Sequence, residues 1–352
     1  MKTKDKVLDL FLHSNGKNLS GEFLAQQCNV SRSAIWKAIN ILRQDGCIIQ
    51  GSPKVGYVFA NSDYFSKEVF LYHLQTGFPE LFSESLPYVE CFSDIDSTNA
   101  YAKGLLAKYS TLRLANGELS KEGKKIHNSV YLAESQSSGR GRLGRSFFSP
   151  KKTGVYFSMI SVPKGGVTHS AIFTTLAAVA VCKSLESLCK IQPKIKWIND
   201  IFAGGKKICG ILTEGITNFE TGLIESLVIG IGINIYNPQE QIPENLWEIA
   251  GSIKEAGGND CVSRCALAAE VVGWLIKLSN TDEDEILSEY KKYSFLIGKE
   301  VTVYPIIDDE KSSYSAKVLD IDNQASLVVQ LQDGSVKTLS SGEVTLKSSC
   351  LV

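Results

Sequence analysis

No apolar run in this 352-residue chain approaches the roughly 18 positions that a spanning helix needs, so no membrane segment is expected. The opening residues, MKTKDKVLDLF, are amphipathic and lack the continuous apolar stretch and small-residue cleavage site of a signal peptide. Export is not expected, and the cytoplasm is the expected compartment. The four histidines are scattered without metal-ligand spacing, which argues against a zinc site. Nine cysteines make an odd number with no CxxC pair, and each sits in an apolar or helical pattern. They read as small core residues in a reducing compartment rather than as disulfides or metal ligands. There is no internal repeat, no low-complexity tract and no Ser/His/Asp or Cys/His constellation.

What is present is a globular composition, 43% hydrophobic and 21% charged, in a chain long enough for two or three domains. Charge is unevenly spread. Residues 1–60 carry eight Lys and Arg against four acidic residues, +4, and the rest carries 29 against 34, −5. That asymmetry suits a basic module meeting an anionic polymer, and equally a solvated basic face.

Val7, Leu8, Leu10, Phe11 and Leu12 form a helical stripe over 4–15 that Gly16 ends. Ser20 is placed to cap a second helix through Cys28, and Ser31 a third running to about Gln44. Two helices joined by a tight turn at Asn29 make a helix-turn-helix. Cys47–Gln50 and Tyr57–Phe59, flanking GSPKVG, read as a hairpin wing. The N-terminal module is expected over 1–62, with 63–88 a linker of mixed helical and turn signals. From 89 to 294 strands cluster on either side of long helices: YVECFSDI, a helix from Ser97, a polar surface loop over about 109–128, SVYLAES, GVYFSMISV, a helix from His169 to about Cys189, PKIKW, KICGILTEG, SLVIGIGINI and a helix over 263–279. An α+β layer structure follows. From 295 to 352 short alternating segments separated by Asp, Gly and Asn turns predict a small β-barrel.

Three stretches carry chemistry. In GRGRLGR, Gly139 to Arg145, glycines let the backbone approach a ligand while Arg140, Arg142 and Arg145 offer forks for phosphate or carboxylate. The string satisfies GxGxxG, but Pro150 forbids the helix a dinucleotide fingerprint must open, and no HRD or DFG supports a kinase loop. A solvated basic loop is the plain alternative. In KWINDIFAGGKKICGILTEG, Asn199 and Asp200 are expected to end one strand and Lys206 and Lys207 to begin the next across two glycines. Polar groups would converge there, with Lys207 facing an anion and Asp200 a phosphate-bound metal; a charged hairpin is the bland reading. DSTN, Asp96 to Asn99, taken alone, is a capped helix start.

Together, in this order, the three stretches resemble the biotin protein ligases, whose signatures are a DSTN helix start, a GRGRxGR loop and a KWPND strand end followed by a lysine and GILxE. The resemblance runs from residue 4 to about 345 and fits the bifunctional ligase/repressor class. It implies a winged helix-turn-helix, an SH2-like mixed α/β catalytic domain without a Walker motif, and an SH3-like C-terminal barrel. Leu143, Phe147 and Ile198 stand where the family more often has a basic residue, tryptophan and proline.

The resemblance implies that Ser97, Thr98, Asn99, Gln136 and Gly230 line a biotin pocket, with Gly139, Arg140 and Arg142 closing over it and Lys207 meeting the biotin carboxylate and the α-phosphate. Arg142, Arg145, Phe147, Asn199, Asp200, Asn234 and Trp247 would serve the nucleotide, Asp200 also Mg²⁺ through the phosphates, and Lys207, Arg140 and Asp200 the catalysis. Biotin would be adenylated by ATP and passed to a lysine of the biotin carboxyl carrier protein of acetyl-CoA carboxylase, with no enzyme nucleophile. Ser31, Arg32, Ser33, Trp36 and Lys37 on the third helix and Lys54 in the wing would contact operator DNA as a ligand-promoted homodimer, although Trp36 also suits a core anchor. A lipoate ligase shares the fold but is expected to lack GRGRLGR and the winged helix. A pure ligand-sensing transcription factor is the remaining alternative.

Overall fold

A computed structural model describes residues 2–14, 16–60, 63–82, 86–109, 111–218, 221–237, 248–259, 263–305, 312–340 and 342–346. The chain divides into two compact units, 1–86 with 261–273, and 87–260 with 274–352.

The first unit opens with α1 (Thr3–Leu12), α2 (Gly21–Cys28) and α3 (Arg32–Gln44), followed by the antiparallel hairpin β1 (Ile49–Ser52) and β2 (Gly56–Phe59). The two serines act as caps: Ser20 Oγ accepts from Phe23 N at 3.0 Å and Ser31 Oγ from Ala34 N at 3.2 Å. Each such cap stabilises its helix by about 1 kcal/mol. Asn29 takes the left-handed conformation, φ 53°, that turns the chain between α2 and α3. Val7, Leu8, Phe11, Leu24, Ile35, Ile39 and Leu42 close the core, and Arg43 donates to the Ile49 and Gly51 carbonyls, fixing the wing to α3. The stretch read as a linker holds a further helix, α4 (Lys67–Gly77), which packs on α1 and buries Val69, Phe70 and Leu74. Arg264, from the start of a helix late in the chain, completes this unit. Only 2% exposed, it gives its backbone N to Asp63 Oδ1 at 2.8 Å and its Nε to Oδ2 at 2.6 Å.

The second unit is built on a seven-stranded sheet. Its elements in chain order are β3 (Val89–Phe92), α5 (Thr98–Leu106), α6 (Lys121–Ile126), β4 (Val130–Ala133), β5 (Gly154–Ser161), α7 (Ala171–Ser184), β6 (Lys194–Lys196), β7 (Asp200–Ala203), β8 (Lys206–Thr217) and β9 (Ile224–Asn234). The strand order is β3-β4-β5-β9-β8-β7-β6, parallel between β3 and β4 and antiparallel elsewhere. The helix α8 (Arg264–Leu278) belongs to the first unit as far as Gly273 and to the second from Trp274; α9 (Glu283–Tyr293) and five antiparallel strands follow, β10 (Glu300–Tyr304), β11 (Tyr314–Ile321), β12 (Leu327–Leu331), β13 (Val336–Leu339) and β14 (Glu343–Leu346), ordered β13-β12-β11-β10-β14.

The two faces of the large sheet differ. On β8, Thr213 meets Thr174 of α7 at 3.0 Å, whereas Glu214, one residue on and therefore on the opposite face, meets Asn99 of α5. α7 lies between the sheet and α9 and buries every residue from Thr174 to Cys182. A helix covered on both sides must be apolar all round. Ala171–Cys189 is consequently as long and apolar as a spanning helix, a length the sequence reading did not credit to any segment, yet it is mostly buried within the fold. The C-terminal sheet is tied to the seven-stranded one by Trp197 Nε1, which donates to Ala325 O at 2.8 Å.

Several expectations need correction. The polar stretch 109–128 is not all loop, because Ser120 caps α6 and Ile126 buries against the core. Asn199 and Asp200 do not end a strand: β6 stops at Lys196, Asn199 lies in the turn, and Asp200 opens β7. The turn before Lys206 is formed by Gly204 (φ +58°) and Gly205 (φ +77°), two successive left-handed residues that suit a tight hairpin. α9 and β14 were not foreseen. The seven described cysteines are free thiols, six of them buried; Cys261 and Cys350 lie outside the described residues.

Candidate active site

The site grows from three glycines on β8 and β9. Gly210 and Gly232 are register partners, and the Phe147 ring lies over both, filling the space where a Cβ would stand on Gly232. At Gly230 the same space holds the Asn99 amide. Any side chain at Gly230 or Gly232 would therefore displace a group the site uses.

Asn99 is positioned by a buried polar network. Ser97 caps α5, which brings Thr98 and Asn99 to the first turn, all three nearly fully buried. Asn99 Nδ2 donates to Glu214 Oε2 at 2.9 Å, and Ser158 Oγ lies 2.5 Å from Asn99 Oδ1 and 2.7 Å from Thr98 Oγ1. Gln136 Oε1 accepts from Thr98 N at 2.9 Å and its Nε2 donates to Ser149 Oγ at 3.0 Å. Glu214 also pairs with Lys103 at 2.7 Å. Burial pushes the Glu214 carboxyl up, but the hydrogen bonds from Lys103 and Asn99 and the charges of Lys103 and Arg140 outweigh it together and hold it below its ordinary value. Glu214 thus stays ionised, which fixes which way the Asn99 amide points.

GRGRLGR folds into a narrow hairpin. Gly141 N donates to Arg145 O at 2.7 Å and Phe147 N to Gly139 O at 2.8 Å, with Leu143 (φ 60°) and Gly144 (φ 79°) at its tip. Gly139 is buried because Phe147 O and Ser149 crowd the position a Cβ would take. Arg142 Nη1 donates to Asn199 Oδ1 at 3.0 Å, and Asn199 Nδ2 to Ile211 O at 2.9 Å, so the hairpin is tied to the β6–β7 turn. Lys207 Nζ meets Asp200 Oδ1 at 2.6 Å, both side chains about a quarter exposed. The Lys207 backbone is clamped by residues 249–251: it donates to Ile249 O and accepts from Gly251 N, each at 2.8 Å, while Asn234 Nδ2 donates to Gly251 O.

These groups line one cavity of about 830 Å³. It brings together Ser97, Thr98, Asn99, Gln136, Arg140, Arg142, Arg145, Phe147, Asn199, Asp200, Lys207, Gly230 and Asn234, all singled out from sequence. Gly139 lies behind this lining, and Trp247 lies outside the described residues. Gly342, Val344 and Thr345 of the C-terminal sheet reach the same cavity. Arg140, Arg142, Arg145, Lys196 and Lys207 face it against Asp200 and Glu248, so the cavity favours an anion. Its size is ample for a nucleotide-sized ligand. No cluster of three metal-ligating residues occurs among the described residues. A single carboxylate already paired with Lys207 fits a magnesium ion carried chiefly by phosphates, not a protein-made cage.

Sequence reasoning missed Ser158, Ser149, Lys103 and Glu214. Ser158 did leave a signal, as a polar residue inside the apolar run GVYFSMIS of a strand buried along its whole length.

In the first unit Ser31, Arg32, Ser33, Trp36 and Lys37 are all exposed along α3, and Lys54 is exposed at the wing tip. Trp36 is 49% exposed, so it is not a core anchor.

The chain's relatives agree with this architecture. Residues 108–234 match the biotin/lipoate A/B protein ligase family, and residues 3–58 match an HTH domain. The bifunctional ligase/repressor BirA of Salmonella typhimurium is 30% identical over 355 aligned positions, spanning 98% of this chain and 99% of that protein. The protein of the same name from Bacillus spizizenii is 27% identical over 97% of each. In fold, a biotin protein ligase from Aquifex aeolicus, solved in complex with biotin and ATP, superposes with a TM-score of 0.56 at 22% identity, over 74% of this chain and 99% of that one. With a 30% identical relative matched from end to end, this chain belongs to the bifunctional ligase/repressor family of biotin protein ligases.

Proposed function

We propose that the protein joins biotin to ATP as biotinyl-5′-AMP, transfers the biotinyl group to a lysine of a biotin carboxyl carrier protein, and uses its N-terminal module as a biotin-responsive repressor in the cytoplasm. The observation that carries the ligase reading is the placement, in one cavity, of the Asn99–Thr98–Gln136 polar cluster, the Lys207–Asp200 pair and the three-arginine hairpin. Residues 1–62 would bind DNA, 89–294 would carry the chemistry and 295–352 would close the nucleotide end.

In the first half-reaction a biotin carboxylate oxygen attacks the α-phosphorus, the bond to the β-phosphate oxygen breaks, and pyrophosphate leaves. Charge builds on the α-phosphoryl oxygens. Lys207 and Arg140 oppose it, and because Lys207 is held by Asp200 and by backbone on both sides, little reorganisation is needed. Magnesium on the phosphates would add a further counter-charge, with Asp200 the carboxylate nearest Lys207 to help hold it. Asn99, whose amide orientation Glu214 and Ser158 set, would orient the biotin ring, and the Gly139–Arg145 hairpin would shield the mixed anhydride from water. In the second half-reaction a deprotonated acceptor lysine adds to the acyl carbon and AMP leaves. No enzyme nucleophile takes part.

Pyrophosphate release tests the reading. The expected result is release with biotin and MgATP and none with lipoate; release with lipoate alone would overturn it.

The exposed Arg32, Trp36 and Lys37 face of α3 and Lys54 in the wing support the DNA-binding half. One such module makes few phosphate contacts, so tight binding would need a dimer on an inverted repeat, promoted by the adenylate.

A further inference from the structure

A second, smaller cavity of about 140 Å³ opens in the catalytic unit and shares no lining residue with the large one. Its walls are Tyr88, Tyr101, Tyr109 and Tyr131, with Glu90, Lys125, Leu105 and Ile126. Four parts of the fold meet there: the edge strand β3, its neighbour β4, helix α5, and the polar stretch 109–128 that the ligase motifs leave unexplained. The rings are not stacked flat. Tyr101 and Tyr131 lie edge to face at 5.3 Å, and Tyr88 is tilted 53° to Tyr131 at 6.3 Å, so the rings form an angled corner. Glu90 Oε2 accepts from the Tyr101 hydroxyl at 2.9 Å and from Tyr88 at 3.4 Å. Among the described residues Glu90 forms no ion pair, and no group donates to its Oε1. Burial, then the Glu90 charge, push the Tyr88 phenol up, and Tyr101 is raised likewise, so both remain neutral donors. Lys125 is exposed at the mouth.

A half-buried carboxylate that meets only phenols, set in an aromatic corner, is the chemistry that holds an alkylammonium group, because ring faces and carboxylate attract the same charge. A cation alone would be repelled by Lys125. We propose that this cavity binds a small zwitterion, an amino-acid or betaine type of molecule, with its ammonium between the tyrosines and Glu90 and its carboxylate on Lys125. At about 140 Å³ the cavity is too small for biotin or a nucleotide. The site does not depend on the ligase reading.

The test uses the full chain with glycine betaine and choline as probes, followed by saturation-transfer NMR on their methyl groups and by calorimetry. Glycine betaine is expected to bind saturably, with a dissociation constant in the millimolar range or below. Glu90→Gln, which keeps the shape and removes the charge, should weaken it by about tenfold or more. Lys125→Ala, at an exposed position where folding is not at risk, should weaken betaine but not choline. No saturable betaine binding, equal affinity after Glu90→Gln, or equal loss for betaine and choline after Lys125→Ala would each overturn the proposal. Unchanged pyrophosphate release by Glu90→Gln with biotin and MgATP would verify its fold and keep a failure here distinct from a failure of the ligase reading.

Discussion

Replacing Lys207 by alanine should separate the two half-reactions. Its ammonium lies 2.6 Å from Asp200 Oδ1, and its backbone is held on both sides by Ile249 and Gly251, so truncating the side chain leaves the strand in register. What is lost is a charge-assisted contact to oxygens whose charge grows only as the α-phosphorus is attacked. Such a contact contributes about 2–4 kcal/mol in the transition state, or roughly 30- to 1000-fold in rate. Transfer from adenylate already formed needs no new charge on phosphorus and should fall far less. The assay is single-turnover pyrophosphate release from biotin and MgATP, set beside acceptor labelling from supplied biotinyl-5′-AMP. Asp200, left without its partner, should also cost some stability, so both rates are compared at a temperature where the variant is folded. An equal fall in the two half-reactions would refute the role given to Lys207.

Glu214→Gln should raise the biotin KM several-fold with little change in kcat for saturating biotin, because the single amide oxygen of glutamine cannot accept from both Lys103 and Asn99 as the carboxylate does, and the Asn99 amide is no longer fixed; steady-state kinetics distinguish this from a general loss. The same group bears on pH. Its folded-state carboxyl titrates below its ordinary 4.5, so the stability it contributes is present above that value and lost as pH falls through the depressed one, and wild type should lose more stability to acid there than Glu214→Gln. Gly232→Val would force out the Phe147 ring and should abolish adenylate formation, with a melting temperature lowered by several degrees. Arg32→Ala should weaken operator binding and flatten its salt dependence while leaving ligation untouched, as gel shifts with and without the adenylate would report.

The legible parts of the fold were those with local causes. Ser20, Ser31 and Ser97 were readable as caps because a cap lies within three residues of the amide it accepts from. Helix α9 was not read, although Asp282 caps it and Ile286, Leu287 and Tyr290 form its buried face, because an acidic first turn and a lysine-rich end leave only a narrow apolar stripe. The helix α6 carries a single large apolar residue, Ile126, and no periodicity to detect. Asp200 was assigned to the wrong strand because KWINDIFA has no glycine or proline to mark the tight turn that Trp197–Asn199 make, whereas the two glycines that follow it suggested the first turn lay there. In the site, the charged residues were legible from their motifs. The groups that orient them were not, since Ser158 reaches Asn99 across 59 residues and Glu214 across 115, and no window of sequence records such a contact.

The most direct measurement is intact-mass analysis of a biotin carboxyl carrier domain incubated with the purified protein, biotin and MgATP, followed by mapping of the modified residue. The account predicts one biotinyl group per acceptor domain, on a lysine, and no label when ATP is withheld. An acceptor that remains unmodified, while a known ligase modifies the same preparation, would contradict it.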